Sequence, residues 1–244
     1  MTITSTLRSV SIFSRLRDED MERLAAGVRS RTYPKKSVIL FQDDPGEALY
    51  LIASGRVKVV LTAEDGREVI LSTREKGDMF GEMSLIDGEP RSAHVIAMEN
   101  SELLILHREH FQRCVDEMPG IALGVLRSMC ARLRDADSLI GGLVLLDVPG
   151  RLAQLILRMV DKDDQSLSLV DLTHQTMAQM VGSTRETVSR TIRNFVREGW
   201  IESARKRVII KNREALEALV DYNPASVPKK AAAEPPEYSR RSND

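Results

Sequence analysis

The stretch Leu172–Ile201, LTHQTMAQMVGSTRETVSRTIRNFVREGWI, decides how this chain is read. Thr173 is a good cap for a helix over Gln175–Val181, because its hydroxyl can accept from an N–H of the first turn. Gly182 ends that helix and supplies the left-handed residue a tight turn needs. Ser183 and Thr184 then cap a second helix over Arg185–Arg197. On it Val188, Ile192 and Phe195 recur at i, i+4 and i+7, the spacing of one buried stripe. Ala178 and Val181 are the facing partners on the first helix. Arg185, Glu186, Ser189, Arg190 and Arg193 are left on the opposite face. Two helices joined by so tight a turn can lay the second in a DNA major groove, with its first turns against the bases. There arginine matches the two acceptors of a guanine edge, and glutamate accepts from cytosine N4.

Charge follows the same segment. The 244-residue chain has a net charge of −1, yet Arg185–Arg213 holds nine basic residues against three acidic ones. The stretch IESARKRVIIK (Ile201–Lys211) reads as a hairpin wing, with Arg205, Lys206 and Arg207 at its tip to meet phosphates. Ser183, Ser189 and Arg193 are expected beside the DNA backbone. Cys114 and Cys130 form no C-x-x-C pair and read as small, reduced core residues. His94, His107 and His110 read as surface or core residues, not metal or haem ligands, and no structural metal is expected. Met1–Val10 has no continuous apolar stretch, so no secretory leader is expected. No run reaches the roughly eighteen apolar residues of a membrane span, which makes the expected location cytoplasmic.

Upstream, Arg31–Leu106 reads as strand. Turn signals recur at Asp44-Pro45-Gly46, Ser54-Gly55, Asp65-Gly66, Lys76-Gly77 and Asp87-Gly88, the rhythm of an all-β roll or barrel. In Leu49–Thr62, Val57, Val59 and Leu61 alternate with Arg56, Lys58 and Val60. A short helix with Asp18 as its candidate cap precedes the strands. A long helix opens near Pro119, with apolar residues at Ala122, Leu126, Met129, Leu133, Ala136, Ile140 and Leu143. Those 4-3 spacings suit a dimer seam, with a helix lying on its own barrel as the alternative. Gly141-Gly142 lowers helix propensity and is either a flaw or a joint. Asp147-Val148-Pro149-Gly150 reads as a turn before a helix over Arg151–Val160.

The expected fold is therefore α+β. A β-roll occupies residues 1–118, a dimerisation helix 119–146 and a winged helix-turn-helix 147–222. Residues 223–244, rich in Pro, Ala, Lys and Glu, are an expected disordered tail.

One β-region motif could bind an anion. In FGEMSLIDGEPRSAHV (Phe80–Val95), Gly81 permits close backbone approach, and Gly81, Glu82 and Met83 could present successive N–H groups. Arg91 with Ser92 could clamp a phosphate, and Glu82 could accept from a ribose hydroxyl. The alternative is a sheet-edge turn with a surface ion pair between Glu82 and Arg91.

Taken together, VGSTRETVSRTI (Val181–Ile192) and LDVPGRLAQLIL (Leu146–Leu157) are similar to the recognition element and hinge of the CRP/FNR superfamily of bacterial transcription factors. The resemblance runs from about Ile12 to Leu219. It implies that Arg185, Glu186 and Arg190 read a TGTGA half-site, as in the cyclic AMP receptor protein branch. Thr173 and Gln175 fall on phosphate-contacting positions, with His174 where that family usually carries a basic residue. Phe80–Val95 resembles the phosphate-binding cassette of cyclic-nucleotide domains. By that match Gly81, Glu82, Met83, Arg91 and Ser92 would hold the sugar-phosphate ring.

The family's adenine-reading Thr-Ser pair corresponds to Ala136-Asp137 here. Alanine cannot hydrogen-bond a base, while an ionised carboxylate suits the N–H donors of guanine. Cyclic GMP or cyclic di-GMP is thus expected ahead of cyclic AMP, with an effector-independent regulator as the alternative. The expected partners are double-stranded DNA, a second copy of the chain and RNA polymerase, with no membrane. A regulatory subunit of an enzyme would explain the cassette but not the winged helix. No nucleophile–base pair accompanies the motif, so no enzyme is expected.

Overall fold

The structure, a computed structural model, describes residues 2–10, 12–14, 16–159, 166–168, 172–204 and 207–220. Two helices, α1 (Ile3–Ser9) and α2 (Asp18–Ala26), lead into strands β1 (Val28–Tyr33), β2 (Val38–Leu40), β3 (Ala48–Ser54), β4 (Arg56–Thr62), β5 (Glu68–Glu75) and β6 (Met79–Phe80). Helix α3 (Met83–Asp87) interrupts the strands before β7 (His94–Ala97) and β8 (Ser101–His107). The strands pair antiparallel in two four-stranded sheets, ordered β1-β8-β3-β6 and β2-β7-β4-β5.

Between the sheets lie Tyr33, Ile52, Val57, Phe80, Val95 and Leu103. The outer face of the first sheet is covered by α1, α2, α4 (Arg108–Glu117) and the start of α5 (Pro119–Leu145). Covered on both sides, β3 and β8 can be almost continuously apolar. Leu49, Leu51, Leu104 and Leu106 face the helices, while Ile52 and Leu103 face the second sheet.

Several sequence expectations need correcting. The β4–β5 register shifts between Val59 and Val60, which pair with Ser72 and Ile70 and leave Leu71 of β5 as the extra residue of a bulge. Val60 is buried and Leu61 exposed, opposite to simple alternation. Asp18 lies inside the first turn of α2, whose cap position is Arg17, and its carboxylate pairs with Arg8. Cys114 is buried, but Cys130 is exposed on α5 and is no core residue. Burial raises the pKa of the Cys114 thiol.

Helix α5 divides its apolar residues between the roll and solvent. Ile121 and Val125 are buried on the roll, and Met129 packs against the same core. Leu126, Leu133 and Ile140 remain 58%, 63% and 58% exposed. Ala136 and Leu143 of the expected seam are exposed as well, and Met129 is the residue of it that packs on the roll.

The expected turn at Pro149-Gly150 is the first turn of a helix, α6 (Val148–Met159). Proline is tolerated there because the N–H it lacks has no helical partner. Asp147 Oδ1 accepts from the N–H of Gly150 at 2.9 Å. The expected helix end at Val160 lies outside the described residues. The C-terminal unit continues with β9 (Ser166–Ser168), α7 (His174–Val181), α8 (Arg185–Arg197), β10 (Ile201–Ala204), β11 (Arg207–Ile210) and α9 (Arg213–Ala218). Its sheet runs β10-β11-β9. Its core gathers Leu152, Ile156, Val188, Ile192, Phe195 and Leu216. The segment 223–244 also lies outside the described residues.

Candidate nucleic-acid interface and ligand cavity

The helix-turn-helix is built as its local sequence dictates. Thr173 caps α7, its hydroxyl accepting from the N–H of Thr176 at 3.1 Å. Gly182 adopts φ 61° and ψ 51°, a left-handed C-cap that a side chain would strain. Thr184 alone caps α8, accepting from the N–H of Thr187; Ser183 precedes the cap. Val188, Ile192 and Phe195 are buried, and burying each is worth about 1.5–3 kcal/mol. That stripe fixes which face of α8 turns outward. Arg185, Glu186, Arg190 and Arg193 are exposed on it, beside exposed Thr173 and Gln175. Ser189 is half-buried, with its hydroxyl 2.9 Å from His174 Nδ1. His174 therefore ties the two helices together. Arg207 opens the second strand of the wing, whereas Arg205 and Lys206 lie outside the described residues.

The second candidate site is a cavity of about 600 Å³, within the range of small-molecule sites. Gly81, Glu82, Met83, Arg91 and Ser92 all line it. Gly81 has φ +81°, and a Cβ there would lie 2.7 Å from Arg91 Nη1 and 3.2 Å from the Ala48 carbonyl. Arg91 donates to the carbonyls of Gly81 at 2.5 Å and Ala48 at 2.6 Å. Burial lowers its pKa, opposed in part by Tyr50 and Glu82. Helix α3 is held by Arg108, which donates to the carbonyls of Gly46 at 2.6 Å and Ser84 at 2.8 Å.

The surface Glu82–Arg91 pair offered as the alternative is overturned. Both residues are buried, at 1% and 4% exposure, and Glu82 pairs with Arg132 of α5 instead. Arg132 also donates to the Met79 carbonyl at 2.6 Å. Sequence reasoning missed Arg132, although it stands one helical turn before Ala136, a residue already assigned to the pocket. Two atoms in this cluster, Glu82 Oε2 and Arg91 Nε, are buried without a hydrogen-bond partner. An acceptor and a donor left this way are expensive unless a ligand satisfies them. They suit a hydroxyl donating to Glu82 and a phosphate accepting from Arg91. The residues thus fit the sugar-phosphate of a cyclic nucleotide.

Ala136 lines the cavity, while Asp137 is exposed on the outward row of α5. The remaining wall was not legible in the sequence. Leu155, Arg158 and Met159 of α6 and Met180 of α7 close the cavity from the DNA-binding side. Arg158 pairs with Asp135 at 3.3 Å, and Gln179 donates to Glu68 of β5 at 3.0 Å. Glu68 also holds Lys58 at 2.7 Å. Among the described residues no three His, Cys, Asp or Glu side chains are grouped to hold a metal, and no helix is long and apolar enough to cross a membrane.

Comparison with known proteins agrees with this geometry. Residues 30–118 match the family described as cyclic nucleotide-binding domain, and residues 150–219 match the Crp-like helix-turn-helix domain. A CRP-like cAMP-activated global transcriptional regulator of Mycobacterium tuberculosis is 31% identical over 215 residues, covering 86% of this chain and 96% of that protein. The cyclic AMP receptor protein of Thermus thermophilus is 32% identical over 214 residues, covering 87% and 98%. Among solved structures, the Thermus thermophilus catabolite activator protein is 31% identical with a TM-score of 0.51, covering 86% of this chain and 98% of that one. The c-di-GMP responsive regulator CLP of Xanthomonas campestris shares the fold, with a TM-score of 0.70 and 24% identity over 80% of this chain and 99% of its own. The chain belongs to the CRP/FNR superfamily of DNA-binding transcription regulators and carries that family's cyclic nucleotide-binding domain.

Proposed function

We propose that the protein is a homodimeric regulator that reads a TGTGA-like palindrome and whose grip on DNA is set by a guanine nucleotide. Its place of action would be the cytoplasm, with DNA and RNA polymerase as partners. The observation that carries the reading is the cavity itself. Two of its lining residues, Glu82 and Arg91, each carry a buried polar atom without a hydrogen-bond partner, and one of its walls is the DNA-binding unit. A ligand there touches both units, so it can prefer one arrangement of them and shift an existing equilibrium.

On this reading Arg185 and Arg190 donate to guanine edges, and Glu186 accepts from cytosine. Thr173, Gln175, Ser183, Arg193 and the wing-tip Arg205, Lys206 and Arg207 meet phosphates, while Ser189 acts with His174. The outward row of α5, with Leu126, Leu133 and Ile140 exposed, supports pairing with a second copy. Two-fold pairing would set the recognition helices about 34 Å apart, one turn of DNA.

Within the cavity, Arg91 and Ser92 would hold the phosphate and Glu82 a ribose hydroxyl. Gly81 and Met83 would bring the backbone close. Ala136 would lie under the base, and Asp137, whose family counterpart reaches the base across the dimer, would accept from the N1–H and N2–H₂ of guanine once two chains pair. A second reading, cyclic AMP as effector, is favoured by the relatives named cAMP-activated at 31% identity. Equilibrium titration with cyclic GMP, cyclic di-GMP and cyclic AMP separates the two, and a clear preference for cyclic AMP rejects the guanine assignment.

DNA reading has its own test. Arg185→Ala should weaken binding to a TGTGA palindrome by about 1–3 kcal/mol, roughly five- to 150-fold in anisotropy titrations. Replacing the contacted guanine should then cost the variant little more. Equal loss on every sequence would reduce Arg185 to a phosphate contact.

A further inference from the structure

One charged residue in the cavity is not accounted for by the phosphate and ribose contacts. On β5, the residues from Ile70 to Arg74 all line the cavity. Arg74 stands opposite Val57, which is fully buried, so a guanidinium occupies a row that otherwise faces the interior. Its hydrogen bonding is meagre. It donates to the neighbouring Thr73 carbonyl at 3.3 Å, and among the described residues no carboxylate pairs with it. The other cavity arginines are better held. Arg132 has Glu82 and Met79, Arg158 has Asp135, and Arg91 has two carbonyls. Burial, reinforced by the like charge of Arg132 and opposed in part by Asp78, Glu82 and Asp135, pulls the Arg74 pKa down. A half-buried cation so poorly matched by the protein is costly unless a ligand supplies acceptors.

Arg74 and Arg91 line the same cavity and enter it from different elements. Arg91 is held at the carbonyls of Gly81 and Ala48, and Glu82 is tied to Arg132 of α5. With a phosphate at Arg91 and a ribose at Glu82, the base is the part of a nucleotide that these groups leave unheld.

We propose that Arg74 is a specificity-determining residue that donates to the O6 and N7 acceptors of a guanine base. Arginine is donor-only, with its N–H groups in a fixed fork, and guanine offers two adjacent acceptors to such a fork. Adenine offers N7 beside the N6 amino group, itself a donor, so one arm of the fork meets a donor instead of an acceptor. This deepens the guanine-nucleotide reading and rests on it. Asp137 would read the donor edge of the same base, and Arg74 its acceptor edge.

The test is calorimetric titration of the full chain, wild type and Arg74→Leu, with cyclic GMP, cyclic AMP, cyclic di-GMP and cyclic di-AMP. Thermal unfolding confirms that the variant folds, and Arg74→Lys asks whether charge alone suffices. The expected result is a wild-type preference for guanine. Arg74→Leu should lose about tenfold or more in affinity for cyclic GMP with little change for cyclic AMP, and lysine should not restore it. Equal losses for cyclic GMP and cyclic AMP would overturn base reading. A loss confined to the two dinucleotides would assign Arg74 to a second phosphate and also overturn it. Nucleotide binding untouched by Arg74→Leu would sink this inference alone. Absence of any nucleotide binding by the wild type would sink the pocket reading, and this inference with it.

Discussion

The recognition helix and the ligand cavity use arginine in opposite ways. On α8, Arg185, Arg190 and Arg193 stand in water above a dry stripe of Val188, Ile192 and Phe195. Each charge stays solvated until DNA arrives, so folding is indifferent to it and binding alone feels its loss. In the cavity, Arg91 and Arg132 are drawn out of water and held by carbonyls and by Glu82. Those arginines serve the fold and the ligand together. The contrast teaches where mutational effects should fall. Changes on α8 should alter DNA binding without altering stability, and changes in the cavity should alter both.

The sharpest attempt to break that contrast is Arg132→Met. Removing one partner of a buried pair leaves Glu82 charged and unpaired, which should destabilise the roll by roughly 3–5 kcal/mol in urea unfolding. Adding Glu82→Gln should recover much of that loss. If Arg132→Met unfolds like the wild type, the pair is not what holds the cavity. A smaller effect is expected at the seam, where Leu133→Ala should weaken dimerisation by about 2 kcal/mol, near thirtyfold, in sedimentation equilibrium. An unchanged dimer would mean that α5 pairs through another face. Smallest is the roof. Asp135 and Arg158 are both substantially exposed, so Arg158→Ala should speed nucleotide dissociation by at most about fivefold. An unchanged or slower release would show that the Arg158–Asp135 pair does not guard the exit.

The contrast also explains what could be read from the sequence. The helix-turn-helix is contiguous, and a 3.6-residue period sorts its buried and exposed faces within thirty residues. Thr173, Gly182 and the bounds of α8 followed from local chemistry alone. The cassette residues Gly81 to Ser92 were legible because helix α3 and the segments flanking it carry them within one short stretch of chain. Arg132, fifty residues further along, enters the cavity from another element, and Leu155 to Met180 enter from another domain. No local pattern marks such a meeting. Arg74 was hidden by the bulge of β5, where Val59 pairs with Ser72 and Val60 with Ile70, because such a register shift leaves no signature in alternation. Met129 was read into the α5 seam for a related reason: it is apolar for the sake of its own roll, and nothing in its spacing says so.

The most direct measurement is the affinity of the full chain for a TGTGA palindrome, taken by anisotropy with and without saturating cyclic GMP, cyclic di-GMP and cyclic AMP. An effector that distinguishes two arrangements by about 1.4–3 kcal/mol changes DNA affinity by about ten- to 150-fold. The account predicts a change of that order with a guanine nucleotide and a smaller one with cyclic AMP. DNA affinity that no nucleotide alters would contradict it, leaving a DNA reader whose cavity does not govern its grip.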